Sequence, residues 1–95
     1  MQSVMKFEID YTVQIWQEGA HYIAHAMPLD VMSAGNTPAA ARRAVEEAVQ
    51  LFLTTANEIG TLEEVLEEAG YAFKQGRWVS PRWIAIEHHL AAIGA

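Results

Sequence analysis

Apolar and polar side chains alternate strictly near the start of the chain. Between residues 5 and 15 the odd positions are apolar and the even positions polar, the period of a strand with one buried face. Gln17 to Ala20 predicts a turn and His21 to Met27 a returning strand, so the two form a hairpin. After Pro28, residues 29 to 34 predict a third short strand. The polar row of the first strand, which we expect to be solvated or an interface, comprises Lys6, Glu8, Asp10, Thr12 and Gln14.

The hydrophobic period changes at a corner formed by Gly35, Asn36, Thr37 and Pro38. We expect Gly35 to supply a positive φ at the exit from the strand. Asn36 or Thr37 can cap the first free N–H groups of a helix, and Pro38 suits its first position. A helix is predicted from about Pro38 to Glu58, because apolar residues then recur at steps of three or four: Ala41, Val45, Ala48 and Phe52.

The remaining third of the chain is predicted to hold a short helix and a hairpin. Gly60 ends the long helix, and residues 61 to 64 read as a capping box for a second helix that stops at Gly70. Residues 71 to 79 predict a hairpin or loop around Gln75 and Gly76. From 84 to 90 apolar positions alternate again, so we expect a strand that adds to the sheet, with a helical turn as the alternative.

These elements predict an α+β fold. A small three- to four-stranded antiparallel sheet has the long helix packed on one face, and the short second helix follows it. With 95 residues the chain is long enough for one modest core, so we expect a single domain over residues 1–95.

The corner resembles that of the HicB family of antitoxin-like proteins. The resemblance covers about residues 5 to 71: alternating strands, then Pro28-Leu29, then Ser33-x-Gly35-Asn36-Thr37 opening an Ala-rich helix. Asn36 stands where the family has Asp, Asp30 and Val31 where it has a Gly-Cys pair, and Ala39 and Ala40 where it has two glutamates. The resemblance implies a HicB-like fold, similar in topology to a double-stranded-RNA-binding domain. It also implies binding to a small basic RNA-cleaving toxin.

Composition narrows the possible functions. A formal charge of −6 opposes phosphate backbones, so we expect no direct nucleic-acid binding. The sequence has 0 cysteines and no long apolar run, which favours a cytoplasmic protein with no membrane partner. His21 and His25 would lie roughly 13 Å apart on one strand, and His88 and His89 would point to opposite faces. We therefore expect no metal, no cofactor and no catalytic residue.

Two sets of residues are candidates for partner binding. Trp16 breaks the polar row of its strand, which makes it a candidate exposed anchor. A second set of acidic residues is either a solvated helix face or a docking surface for a basic partner: Glu63, Glu64, Glu67 and Glu68. Trp78 and Trp83, interleaved with Arg77 and Arg82, could stack on single-stranded nucleic acid or anchor a protein contact, and the acidic balance favours the protein.

The sequence thus predicts a non-enzymatic protein-binding domain of the HicB antitoxin type. The C-terminal DNA-binding module of such antitoxins has no counterpart after Gly70, so we expect no transcriptional repression by this chain alone. The alternative is a HicB-like homo-oligomer, a dimer or tetramer, with a structural or ligand-sensing role and no toxin partner. A nucleic-acid-binding module is the weaker competitor because of the charge.

Overall fold

A computed structural model describes residues 8–94 of the chain. It has the order β1 (Glu8–Ile9), β2 (Thr12–Glu18), β3 (His21–Met27), β4 (Val31–Gly35), α1 (Pro38–Glu58), α2 (Leu62–Glu68), β5 (Ala72–Lys74) and β6 (Arg77–Val79). The predicted α+β class and both helices are confirmed. Six strands form two three-stranded sheets, where one sheet was expected. The predicted strand positions 5 to 7 lie outside the described residues.

The main sheet is antiparallel, in the order β2-β3-β4, and α1 covers one of its faces. Ala24 and Ala26 of β3 are 0% exposed beneath the helix, which contributes the buried residues Ala41, Val45, Val49 and Ala56. Small side chains at the centre of β3 let the helix axis approach the sheet closely. The helix packs mainly on β3 and β4 and less on β2, so Val13 and Ile15 are only half-buried although they face it. The predicted stripe on α1 was right at Ala41 and Val45, whereas Ala48 and Phe52 are only partly buried.

The corner before α1 is held by a cap and by close backbone packing. The backbone N–H of Ala40 donates to Thr37 Oγ1 at 3.0 Å, so Thr37, and not Asn36, is the N-cap, and Pro38 starts the helix. The expected positive φ at Gly35 was wrong. Glycine is required there because a Cβ would lie 2.6 Å from the backbone nitrogen of Ala41.

The two helices join through Gly60, whose φ of +80° ends α1 as predicted. The capping box predicted for α2 was wrong, because Thr61 makes no side-chain cap to that helix. Its Oγ1 instead donates to the carbonyl oxygen of Ala56 at 3.4 Å. Leu62 and Leu66 of α2 are buried, together with Tyr71 and Trp78 from the following segment.

The second sheet has the order β1-β6-β5. The predicted hairpin is present as β5 and β6, with Gln75 and Gly76 both at positive φ in the turn. β1 pairs in parallel with β6, so the single strand expected over residues 5 to 15 is broken at positions 10 and 11. Asp10 fixes the break: its carbonyl oxygen accepts from the Tyr71 hydroxyl at 2.6 Å, and its carboxylate accepts from the Ser80 backbone N–H at 2.8 Å and from the Ser80 hydroxyl.

Residues 81–94, here called the tail, form neither helix nor strand and are exposed throughout. The prediction that residues 84 to 90 add a strand to the sheet of the same chain was therefore wrong. Alternation is a local signal of the two faces that a strand would have, and it does not show whether a partner strand lies within reach; no described strand pairs with residues 81–94.

Candidate protein-interaction site

The sheet face opposite α1 is uncovered in the described part of the chain. Because side chains alternate along a strand, the residues between the helix-facing positions of β2, β3 and β4 point to this second face. In the pairing register Trp16 lies beside Ile23 and then Ala34, and Gln14 lies beside His25 and then Met32. We call this surface the open sheet face, and its larger side chains are Trp16, Ile23, His25, Met27 and Met32.

Two of these side chains are well exposed. Trp16 is 37% exposed and Met32 is 54% exposed. The predicted polar row was thus only part of this face: Thr12 and Gln14 belong to it, whereas β3 and β4 add the apolar Ile23, Met27 and Met32 around His25. A mixture of apolar and polar side chains is usual for a protein-binding surface.

Polar contacts hold Trp16 in place. Its indole Nε1–H donates to Glu18 Oε2 at 3.0 Å, and its ring meets the His25 ring edge-on with centroids 6.3 Å apart. His25 Nε2 in turn lies 2.6 Å from Asp30 Oδ1, across the tight turn in which Asp30 has a φ of 61°. An aromatic side chain that is already oriented loses less conformational entropy on binding.

The predicted acidic residues form a second surface. Glu63, Glu64, Glu67 and Glu68 are all exposed on α2, opposite its buried leucines, and we call them the acidic ridge. Within residues 8–94 none of the four forms an ion pair. α2 packs against α1, on the far side of the main sheet from Trp16. The structure therefore places the two predicted partner-binding sets on separate surfaces.

Two concave sites of the described chain are open to solvent and partly lined by apolar side chains. One, of about 240 Å³, lies between α1 and the strand break, where burial and then the charge of Glu46 raise the pKa of Tyr11. Another, of about 400 Å³, is lined by Leu62, Phe73 and Trp78, whose two aromatic rings meet edge-on at 5.1 Å. Among residues 8–94 no three His, Asp or Glu side chains are grouped to hold a metal ion.

Sequence reasoning missed Ile23, Met27 and Met32 as site residues. A signal was present, because Ala24 and Ala26 are the small residues that suit a strand beneath a helix. The alternate positions of that strand must then face the other way. The corner residues Gly35, Asn36, Thr37 and Pro38 lie at the start of α1 and serve the fold.

Comparison with known proteins adds no relative: no protein family, curated protein or solved structure matches the chain. In the part of the chain that the structure describes, neither helix has the length and apolar character needed to cross a membrane.

Proposed function

We propose that this chain is a non-enzymatic, cytoplasmic protein-binding domain of the HicB antitoxin type. Its partner is a small basic RNA-cleaving toxin, which it binds and occludes. The observation that carries the proposal is the open sheet face, on which an oriented Trp16 is exposed beside Ile23 and Met32 is exposed on the outer strand β4. Tryptophan in a largely apolar patch is the residue type that most often dominates protein-binding energy.

The charge distribution supports a basic partner. The chain carries −6, and the acidic ridge concentrates four carboxylates without an ion pair in the described residues. Such a surface accelerates encounter with a basic protein and repels nucleic acid. The open sheet face then supplies the short-range contact, and the ridge supplies long-range attraction.

The test measures binding and occlusion together. The partner to use is a small basic protein encoded beside this chain in its genome, purified separately and titrated calorimetrically. Trp16→Ala is compared with Leu51→Ala, which removes a side chain that is 68% exposed on α1, away from the open sheet face. Loss of about 2 kcal/mol at an interface anchor corresponds to roughly 30-fold weaker binding for Trp16→Ala. Leu51→Ala should stay within about twofold.

Occlusion is tested by RNA cleavage. The wild-type chain should stop cleavage by the partner at equal stoichiometry, and Trp16→Ala should need an excess. Equal binding by Trp16→Ala and Leu51→Ala would show that the open sheet face does not bind the partner. If the partner still cleaves RNA at the uninhibited rate when it is fully bound by this chain, the chain is not an antitoxin. Circular dichroism must show that Trp16→Ala is folded. An unfolded variant would show that Trp16 belongs to the core, and its loss of binding would then say nothing about the interface.

A second candidate function is a homo-oligomeric HicB-like domain, structural or ligand-sensing, that has no toxin partner. The specific observation that favours it is the tail, which exposes apolar side chains that the rest of the described chain leaves uncovered. An absent or non-binding basic neighbour, with a defined oligomer in solution, would support this candidate over the first.

A further inference from the structure

The tail contains large apolar side chains of the kind that are buried in a sheet, but in this structure they are exposed. Ile84, Ile86, Leu90 and Ile93 are 87%, 64%, 92% and 98% exposed. Ile84, Ile86 and Leu90 share one side of an extended chain, with His88 between the last two. Large aliphatic side chains exposed in such a series mark an interaction segment.

The tail also differs in charge from the body of the chain. Its charged residues are Arg82 and Glu87, which sum to zero with neutral histidines, so the whole formal charge of −6 lies on residues 1–80. Two bodies of this charge repel each other at long range. A neutral, apolar segment is the part of the chain best able to contact a second acidic body.

The start of the tail directs it away from its own domain. Ser80 is bound to the Asp10 carboxylate, and Pro81 sits against Gly70, where a Cβ would be 3.0 Å from the proline ring. The described structure measures 65 Å along its longest axis against 30 and 20 Å, and its radius of gyration is 16.4 Å. A compact domain of this length would have a radius of gyration of about 12 Å. Fourteen extended residues reach up to about 46 Å, enough to cross a neighbouring domain of this size.

The main sheet offers a matching receptor at β2. This strand is an edge of the sheet in the described residues, and an edge strand presents unpaired N–H and C=O groups. Because α1 packs mainly over β3 and β4, the helix-facing Val13 and Ile15 of β2 remain half-buried. β2 has 7 residues, the same length as the alternating segment 84–90. The hydrophobic core is thus incompletely covered at β2.

We propose that residues 84–90 of one copy pair as a fourth strand with β2 of a second copy, and that the exchange is reciprocal. Ile84, Ile86 and Leu90 then cover Val13 and Ile15 beside α1, while the alternate tail residues join the open sheet face. Reciprocal exchange gives a closed two-fold dimer and leaves no β2 edge free for further addition. This inference rests on the second candidate function, homo-oligomerisation.

The first experiment measures the mass of the full-length chain by light scattering over a range of concentrations. We expect a dimer of the 10.6 kDa chain. Ile86→Asn should weaken dimerisation at least tenfold, and the matched control Ala85→Asn, on the other side of the strand, should change it less than threefold. Both variants should keep the circular dichroism of the wild type, because neither position is buried in the monomer.

The second experiment locates the contact. A photo-crosslinking benzophenone amino acid replaces Ile86, and ¹⁵N-labelled and unlabelled chains are mixed so that links between copies are distinguished by mass. Links between copies to residues 12–18 are expected. A monomer at every concentration overturns homo-oligomerisation and the exchange with it. A dimer that resists Ile86→Asn, or links elsewhere, overturns the exchange alone. Neither result bears on toxin binding, which the calorimetric titration measures separately.

Discussion

Gly35→Ala tests the close packing of the helix start against the end of β4. The added Cβ would lie 2.6 Å from the nitrogen of Ala41, and 2.7 and 2.8 Å from the carbonyl carbon and Cβ of Ala40. Two of these three atoms are backbone, so rotation of a side chain cannot relieve the overlap. The whole first turn of α1, or the end of β4, must move.

The expected cost follows from two opposing terms. Removing a glycine stabilises a protein by about 0.4–1 kcal/mol through the unfolded chain, because Gly35 does not need a positive φ. Overpacking costs about 1–3 kcal/mol, and backbone obstacles place this site at the upper end. We therefore expect a net loss of about 2 kcal/mol in the free energy of unfolding, or about 8–16 °C in Tm for a domain of this size.

Urea and thermal unfolding followed by circular dichroism measure the change. Gly94→Ala is the matched control: an added Cβ there meets no atom within 4 Å, and the residue has no positive φ. It should leave the free energy of unfolding within about 0.5 kcal/mol of the wild type. A Gly35→Ala protein as stable as the wild type would show that the helix lies farther from β4 than described and would refute this reasoning.

Four further substitutions test individual side chains. Thr37→Ala removes the cap of α1 and should cost about 1 kcal/mol in urea unfolding. Thr61→Ala should cost less than Thr37→Ala, because Thr61 does not cap α2 and its Oγ1 makes only a long hydrogen bond of 3.4 Å to the Ala56 carbonyl oxygen; equal losses would contradict the assignment of the caps. Burial, then the charge of Asp10, raise the pKa of Tyr71 from 10.0 to about 12. The folded state therefore holds this proton more tightly, and its stability should fall as the pH rises from 10 towards 12. In Tyr71→Phe that part of the fall should be absent, and an unchanged alkaline profile would argue against the buried hydroxyl. Glu67→Lys replaces the like-charge pair of Glu63 and Glu67, four residues apart on α2, with an opposite-charge pair. It should raise the free energy of unfolding in urea by about 0.5 kcal/mol. A lower or unchanged free energy of unfolding would count against repulsion between the two glutamates.

Local signals along the chain were sufficient to predict the helices and hairpins. The apolar stripe that begins at Ala41 and the glycine at position 60 mark α1, and both report on neighbours within one or two helical turns. The β5–β6 hairpin follows in the same way from Gln75 and Gly76. Each of these features depends on residues that are close in sequence.

Features that depend on distant residues were missed or misassigned. Alternation over residues 5 to 15 cannot reveal that β1 leaves the main sheet, because its partner β6 lies almost 70 positions later. Gly35 was given the wrong role, since a close approach of two backbones is invisible in a sequence. Trp16 was correctly placed on an exposed surface. Its register neighbour Ile23, and Met32 on the same face, depend on strand register, which the sequence pattern did not define.

The parallel pairing of β1 with β6 has a consequence for how the chain folds. β2, β3, β4 and α1 follow one another with short connections, so they can assemble as soon as that segment exists. β1 must wait until a loop of almost 70 residues closes, which slows its pairing. We therefore expect β1, the first strand of the described chain, to be among the last to be ordered. Loss of β6 would release β1 as well, although the two lie near opposite ends of the chain.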